Sequence, residues 1–549
     1  MQRPAHPIFG SALEVTLPEG AKKGDTFEVK IGYHTTPQST AVQWLPAEQT
    51  AGLVRPYLFT QCQAIHARSL LPCQDCPSAK CTYSSSITVP NWSVCLMSAL
   101  STGSPVPGEK PDTLVYSFNQ PVPTPSYLIA IAVGDLVKRD VSVRCSIWAE
   151  PSVVEKAAYD FSQTEDFLTA AEELTCPYVW TRYDVLCLPP SFPYGGMENV
   201  CLTFVTPTLL TGDKSLASVV AHEISHSWTG NLITNETWQH FWLNEGWTMW
   251  LQRKIEAKVC GDPRFFDFSA QIGWSNLKDS VDLFEAQDKL ALTALVPPLE
   301  GVDPDDAFSS VPYEKGFALL YDLQSRIGIS AFEAFAKAYI EGFKFKTITS
   351  EGFRDFFCSY CKEQGSEAAI ADVDWETWFH AVGMPVRTPD FDSSLCTASW
   401  DLADAWLEVH GGDKKTPANT KVAEFAGWAS MQKVVFLERV SAVLDDGGEA
   451  IPEPLLKAMD ECYGFSLTAN SEIKFRWHML CLRSHAFFVV PAALEFVTSQ
   501  GRMKFTRPLY RELNNHIETR GVAKDTFLKY SSFYHPICRT MVSAWISIS

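Results

Sequence analysis

The sequence predicts a multidomain α+β protein, with an antiparallel β domain first, a mixed α and β domain next, and an α-helical domain last. Three observations support this order. The 549 residues are too many for a single hydrophobic core. Apolar residues alternate with polar ones near the amino end, and they adopt helical spacing further along the chain.

Residues 1–135 are predicted to form the β domain. The stretch "FEVKIGYH" at residues 27–34 places Phe27, Val29, Ile31 and Tyr33 on one face of a strand. The segments "SSSITVP" (84–90) and "TLVYSF" (113–118) repeat the alternation between turn-rich stretches. We therefore expect antiparallel strands throughout this region.

Residues 136–382 are predicted to be mixed. They begin with the helical pattern "AAYDFSQTEDFLTAAEELT" (157–175), which precedes the strand-like "YDVLCLPP" (183–190) and the glycine-rich "PYGGMEN" (193–199). A linker with proline and aspartate occupies residues 383–396. Residues 397–549 have helical spacing almost throughout, as in "PLLKAMDECYGF" (454–465), which predicts a helical carboxyl-terminal domain.

Composition and charge narrow the class of protein. Apolar residues make up 46% of the chain, which is typical of a folded globular protein. The formal charge of −19 argues against nucleic acid or an anionic membrane as the main partner. The apolar segments at residues 127–137 and 486–497 are too short to span a bilayer.

The cysteines and the amino end predict a location. The first twenty residues contain no apolar run typical of a signal peptide. Sixteen cysteines without such a signal favour reduced thiols in the cytoplasm. The pairs in "CQDC" (73–76) and "CSYC" (358–361) lack a second ligand pair at zinc-finger distance, so we interpret them as structural.

The stretch "HEISH" (222–226) is the strongest candidate site. Residues four apart share one face of a helix, so His222 and His226 can direct ring nitrogens at one point. Glu223 lies one step around the helix and can reach a water molecule there. Glu245, in the second helical pattern "WQHFWLNEGWTMWLQRKI" (238–255), is placed to supply a third ligand.

Two histidines and one carboxylate leave the fourth position of a zinc ion open for water, which is the catalytic arrangement. Zinc fits because it is a redox-silent Lewis acid. The alternative is a chance pairing of histidines on an ordinary helix, and the spacing to Glu245 argues against it. His240 lies among aromatic residues, where a packed or hydrogen-bonded role is expected.

Together with "GGMEN" (195–199), these motifs resemble the aminopeptidase-N-like zinc peptidases, the gluzincins. The segments "QCQAIHARSLLPCQD", "SSVPYEKGFALL" and "QGRMKFTRPLY" resemble the leukotriene A-4 hydrolase and aminopeptidase B branch. The resemblance covers nearly the whole chain. It implies a saddle-like β domain, which is shortened here, a thermolysin-like zinc domain and a helical carboxyl-terminal domain.

The resemblance also implies roles for individual residues. The zinc ligands are His222, His226 and Glu245, and Glu223 is the general base. Glu198 and Gln63 hold the free α-amine of a peptide, and Tyr313 donates to the oxyanion. The remaining substrate contacts implied by this match are Tyr194, Gly195, Gly196, Met197, Asp305, Arg502 and Lys504.

Without the resemblance, three of these motifs have structural interpretations instead. "GGMEN" by itself is typical of a tight turn, and Tyr313 by itself of an aromatic packed in a core. "GRMKFTRP" by itself is typical of a solvated basic face. Phe308 stands where the branch carries a tyrosine that lines the pocket, which weakens the expectation of lipid chemistry.

The sequence therefore predicts a monomeric aminopeptidase that holds one Zn²⁺ per chain and cleaves short peptides. A second expected activity, implied by the branch alone, is hydrolysis of a lipid epoxide, leukotriene A-4. The alternative is a shortened isoform that binds peptides or partners without turning them over. An endopeptidase is the nearest enzymatic rival, and "GGMEN" argues against it.

Overall fold

The structure, a computed structural model, describes residues 6–410, 416–445 and 448–546. An amino-terminal β region is followed by a mixed region and by a region of helices. The first region contains eight strands, β1 (Val42–Leu45), β2 (Tyr57–Thr60), β3 (Cys81–Pro90), β4 (Val94–Met97), β5 (Leu100–Ser101), β6 (Val106–Pro107), β7 (Thr113–Thr124) and β8 (Ile131–Gly134).

These strands form two antiparallel sheets. One has the order β1-β2-β8-β4, and the other has the order β3-β7-β5, with β6 also paired to β7. The predicted strands at residues 84–90 and 113–118 are confirmed, because they lie within β3 and β7 and pair with each other in register.

The strand predicted at residues 27–34 is wrong. These residues are all described and form no strand, and Phe27, Val29, Ile31 and Tyr33 are exposed. A strand requires a neighbour to satisfy its main-chain groups, and none of the described strands pairs with this segment. Alternation alone therefore did not produce a strand here.

The middle region is built on a five-stranded sheet flanked by helices. Its strands are β9 (Val137–Asp140), β10 (Cys145–Ala149), β11 (Tyr183–Cys187), β12 (Gly196–Met197) and β13 (Leu202–Val205), and a small pair joins β14 (Thr234–Asn235) to β15 (Thr347–Ile348). The sheet order is β12-β13-β11-β10-β9, with β10, β11 and β13 parallel and both edges antiparallel.

Nine α-helices belong to the described part of this region. They are α1 (Val154–Asp160), α2 (Thr164–Leu174), α3 (Ser218–His226), α4 (Trp242–Cys260), α5 (Phe265–Ala286), α6 (Gly316–Ile327), α7 (Ile329–Phe343), α8 (Ser350–Glu363) and α9 (Trp375–His380). Helix α4 packs against α3 and α6. It ends at Cys260 and is capped by Gly261, whose φ of 74° is accessible to glycine without strain.

The last region is helical, as predicted. Its helices are α10 (Thr397–His410), α11 (Val422–Ala426), α12 (Ser430–Asp445), α13 (Glu453–Tyr463), α14 (Ser471–Arg483), α15 (Val490–Ser499), α16 (Met503–Asn515), α17 (Ile517–Tyr530) and α18 (Pro536–Ile546). They enclose a second hydrophobic core, separate from the one beneath the five-stranded sheet. Among the described helices, none combines the length and the apolar character needed to cross a membrane.

Candidate active site

Helices α3 and α4 bring three candidate ligands to one point. The Nε2 atoms of His222 and His226 are 3.2 Å apart, and Oε2 of Glu245 lies 3.5 Å and 3.3 Å from them. In a tetrahedral zinc site with ligand distances of about 2.0–2.1 Å, neighbouring ligand atoms are about 3.3 Å apart. The three side chains therefore fit the ion without rearrangement.

Neighbouring residues fix which ring nitrogens are free. Nδ1 of His222 lies 2.9 Å from Oε1 of Gln252, whose amide nitrogen in turn donates to Glu256 at 2.8 Å. Nδ1 of His226 lies 2.9 Å from the main-chain oxygen of Thr229. Both acceptors assign the proton to Nδ1, so both Nε2 atoms carry lone pairs.

Three lone-pair atoms this close repel one another unless a proton or a metal cation lies between them. Burial opposes charge on His226, yet the carboxylates of Glu198 and Glu245 raise its pKa to about 10. The pKa of Glu245 falls to about 2, because the two histidines outweigh its burial. The pocket thus strongly favours positive charge, which fits a divalent metal.

Two more carboxylates lie beside this cluster. Ligand atoms of Glu198, Glu223 and His226 lie within 4.8 Å of one another, and all three residues are buried. Burial raises the pKa of Glu223 to about 7. A carboxyl group with that pKa can both accept and release a proton near neutral pH.

The strand β12 places Gly196 directly against Glu223. A Cβ at position 196 would lie 2.5 Å from Cδ and 2.9 Å from Cγ of Glu223. Only glycine permits this approach, because real Cβ atoms stay beyond 3.0 Å from such neighbours.

Glu198 is held by its neighbours from two sides. The side-chain amide of Gln63 donates to Oε1 of Glu198 at 3.4 Å, and that of Asn231 donates to the main-chain oxygen of Glu198 at 2.9 Å. The two residues predicted to hold an amine therefore lie together. Met197, also on β12, is buried and accepts from the amide of Gln61 at 3.2 Å.

Three aromatic residues form a row of ring contacts that starts at His222. Tyr313, in a π-helical turn at Val311–Lys315, stacks on His222 with ring centroids 5.9 Å apart. Phe308 packs edge-on against both Tyr313 and Tyr194, at 6.1 Å and 6.3 Å. Burial raises the pKa of Tyr313 well above the ordinary value, so its phenol keeps the proton that an oxyanion donor needs.

A basic group approaches from the helical region. A Cβ on Gly195 would lie 2.7 Å from Nη2 of Arg502, so the buried guanidinium contacts the "GGMEN" backbone. Lys504 is more exposed, and its ammonium donates to Glu472 at 2.7 Å. Glu472 also lies 3.6 Å from Arg502. Burial raises the pKa of the Glu472 carboxyl, but the neighbouring cations outweigh burial and lower it.

Asp305 lies at the rim with a partner that the sequence did not reveal. Oδ2 of Asp305 is 2.8 Å from Nε2 of His66, three residues after Gln63. Burial opposes charge on His66, but Asp305 raises the pKa of the imidazole above its ordinary value. Asp305 contacts His66 rather than the metal cluster.

Sequence reasoning missed His66, Gln252 and Glu472. Gln252 had a usable signal, because it follows Glu245 by seven residues and so shares its helix face. Glu472 and His66 had none, because their partners are distant in the chain. The hydrogen-bonded role expected for His240 is found, with Nδ1 lying 2.8 Å from Oγ of Ser350.

A buried ion pair joins the helix that carries Glu245 to the turn that carries Tyr313. Nη2 of Arg253, in α4, lies 2.8 Å from Oε2 of Glu314, and both side chains are almost fully buried. The guanidinium also lies over the ring of Phe317, 4.1 Å from its centroid.

Three segments of the chain match known protein families. Residues 9–128 match the M1 peptidase amino-terminal domain, residues 159–378 match the M1 peptidase domain, and residues 428–546 match the carboxyl-terminal domain of leukotriene A4 hydrolase. A Xenopus laevis leukotriene A-4 hydrolase is 47% identical over 545 residues, which cover 99% of this chain and 87% of that protein.

The chain belongs to the M1 peptidase family. Another M1 relative, leucine aminopeptidase 2 of Neosartorya fischeri, is 42% identical, with 97% of this chain and 84% of that protein covered. The solved structure of yeast leukotriene A4 hydrolase in complex with bestatin matches with a TM-score of 0.85 at 37% identity. That match covers 94% of this chain and 81% of the yeast chain. These matches confirm the predicted family and its three-domain architecture.

Proposed function

We propose that this M1 peptidase is a zinc-dependent aminopeptidase that releases the amino-terminal residue of short peptides. The observation that carries the proposal is the buried Glu198 carboxylate beside the cluster of His222, His226 and Glu245. A carboxylate at a fixed short distance from the metal position binds a free α-amine, and only the first peptide bond then reaches the reacting centre.

We propose one zinc ion per chain, held by His222, His226 and Glu245. When bound there, zinc supplies a Lewis acid for the scissile carbonyl and lowers the pKa of a water molecule. Gln252 and the carbonyl of Thr229 keep both imidazoles in the tautomer that exposes Nε2.

The remaining steps fall to side chains of this protein. Glu223 accepts the proton of the attacking water and delivers it to the nitrogen of the leaving amine. Glu198 and Gln63 bind the substrate amine, and the phenol of Tyr313 donates to the developing oxyanion. Loss of one such donor typically costs about 100- to 1,000-fold in kcat.

We propose that the rest of the cleft binds the peptide chain. Arg502 receives the substrate carboxylate, and Lys504 adds positive charge from the surface. Tyr194, Gly195, Gly196 and Met197 line the path between them and the reacting centre. We propose that Asp305 favours basic first residues through its negative charge, or orients water if the lipid epoxide is hydrolysed.

The test is the Glu223→Gln variant, with metal content measured by atomic absorption. The variant keeps the size of the side chain and the zinc ligands but cannot accept a proton. We expect zinc to be retained and cleavage of an alanyl chromogenic amide to fall by at least about 100-fold. Near-normal turnover with zinc bound would refute the assignment of Glu223.

A control separates an aminopeptidase from an endopeptidase. A tripeptide and its amino-acetylated form are compared on the unaltered protein. Acetylation removes the charge that Glu198 binds, so the acetylated peptide should remain uncut. Its cleavage at a comparable rate would favour the endopeptidase instead.

A second activity, hydrolysis of leukotriene A-4 to a dihydroxy acid, is favoured by the match of residues 428–546 to the leukotriene A4 hydrolase domain. The purified protein is incubated with this epoxide, and the dihydroxy acid is measured by chromatography. Absence of product from a zinc-loaded, peptide-cleaving sample would remove this activity. A binding protein without turnover, the remaining alternative, would cleave neither substrate.

Three further proposals concern organisation and location. We propose domain boundaries after residues 135 and 382, with a linker at 383–396 before the helical domain. We propose that the protein is a monomer. A cytoplasmic location is supported by sixteen cysteines that are all free thiols.

A further inference from the structure

The turn that follows α3, residues 229–232, accepts hydrogen bonds from two side chains of the amino-terminal β region. The phenol of Tyr127 donates to the main-chain oxygen of Gly230 at 3.2 Å. The ammonium of Lys80 donates to the oxygens of Asn231 and Leu232 at 3.1 Å and 2.9 Å. Three consecutive carbonyls of one turn thus accept hydrogen bonds from a different region of the chain.

The same turn carries contacts that shape the active site. The oxygen of Thr229 lies 2.9 Å from Nδ1 of His226 and fixes its tautomer. The side chain of Asn231 donates to the main chain of Glu198 at 2.9 Å, and its own N–H donates to the oxygen of His226 at 3.0 Å. Any shift of this turn therefore moves a metal ligand and the amine-binding residue together.

Tyr127 also reaches the second ligand helix. The side-chain amide of Asn244, the residue before Glu245, donates to the phenol oxygen at 3.1 Å. Burial, with the carboxylates of Glu198 and Glu245 nearby, raises the pKa of Tyr127 well above its ordinary value. The phenol therefore stays protonated and can accept from Asn244 while it donates to Gly230.

The hydrogen bonds of Lys80 go to main-chain carbonyls, and its side chain is half-buried. Burial lowers the pKa of Lys80 to about 7. The charged and the neutral amine both carry the two N–H groups that the turn requires. The contact therefore persists on both sides of neutral pH.

We propose that Lys80 and Tyr127 are positioning residues for the metal and amine sites, acting through the turn at residues 229–232. Lys80 and Tyr127 thereby take part in catalysis without contacting the substrate themselves. This inference rests on the proposed function for the amine site, but its effect on metal binding stands apart from any activity. Residues that orient metal ligands typically contribute about 10- to 100-fold in metal affinity.

The test compares Lys80→Met and Tyr127→Phe with a matched control, Lys110→Met. Lys110 is exposed, in the same β region, and lies outside the described site. Zinc dissociation constants are measured by competition with a chelating dye, beside kcat, KM and the melting temperature. We expect each test variant to weaken zinc binding by about tenfold and the control to leave it unchanged.

Tyr127→Phe removes a single oxygen atom, so it keeps the test valid if Lys80→Met fails to fold. A lower melting temperature with zinc affinity and KM unchanged would overturn the proposal, because a purely structural contact predicts that pattern. Weakened zinc binding in a protein that cleaves no peptide would refute the proposed function and leave this inference standing.

A double-mutant cycle tests the route through the turn. Asn231→Ala removes the contact with Glu198 and should raise KM for a peptide with a free amine. If Lys80 acts through this turn, Lys80→Met adds little to KM in the Asn231→Ala background. Fully additive effects on KM would mean that Lys80 acts elsewhere, and the proposal would fail.

Discussion

Replacing Gly196 by alanine is expected to disable the general base while leaving the metal ligands untouched. The new Cβ would lie 2.5 Å from Cδ of Glu223, and closer still to its Oε1. Ordinary van der Waals contact begins at 3.4 Å, so the carboxylate must move by roughly 1 Å or the strand must yield.

The size of the effect follows from that displacement. A misplacement of about 1 Å at a reacting group costs on the order of 100-fold in rate, which corresponds to about 2.7 kcal/mol of transition-state stabilisation. None of His222, His226 and Glu245 is among the three nearest neighbours of the new methyl group, so zinc content should stay near that of the unaltered protein.

The assay is steady-state cleavage of an alanyl chromogenic amide, with zinc measured on the same sample. Gly103→Ala is the control, because a Cβ there meets no atom within 4 Å. We expect the loss to appear in kcat rather than in KM. Wild-type kcat with zinc bound would refute the placement of Glu223 against Gly196.

Three further expectations test separate contacts. The contact with Asp305 raises the pKa of His66 against the effect of burial, so the pair stabilises the fold below the ordinary histidine pKa and loses that effect as the pH rises through the raised value. In denaturant titrations, His66→Gln should therefore lower the unfolding free energy by up to about 1 kcal/mol at acidic pH and by less at alkaline pH; an equal loss at both would contradict this. Gly246→Ala places a Cβ 2.8 Å from the backbone of α6 and should lower the unfolding free energy by about 1–3 kcal/mol in the same titration. Its control is Gly521→Ala, whose Cβ meets no atom within 4 Å and which should not lower the unfolding free energy. Arg502→Met should raise KM by about tenfold or more for a tripeptide but little for its carboxyl-terminal amide, and equal changes would exclude carboxylate binding.

The sequence predicted those parts of the site that lie on one local element. His222 and His226 share a helix face because they are four residues apart, and that spacing determines their geometry. Glu245 was predictable from a second helical pattern. Its distance of 3.3 Å from His226 required knowledge of how α3 packs on α4.

Contacts between distant segments were not predictable from pattern alone. Lys80 approaches Asn231 because the β region folds against the mixed region, and Glu472 approaches Arg502 because α14 packs against α16. The failed strand at residues 27–34 has a related cause. Alternation reports which side of a segment is apolar, while strand formation depends on a partner that the segment itself does not specify.

The ion pair between Arg253 and Glu314 has a consequence for how the site responds to strain. Arg253 follows Glu245 by eight residues on one rigid helix, and Glu314 is the neighbour of Tyr313. Separating the two would leave opposite charges buried and unpaired, at a cost of about 3–5 kcal/mol. The carboxylate proposed to hold zinc and the phenol proposed to donate to the oxyanion are thereby linked through one buried ion pair, and this pair opposes any change in the gap that a scissile carbonyl must fill.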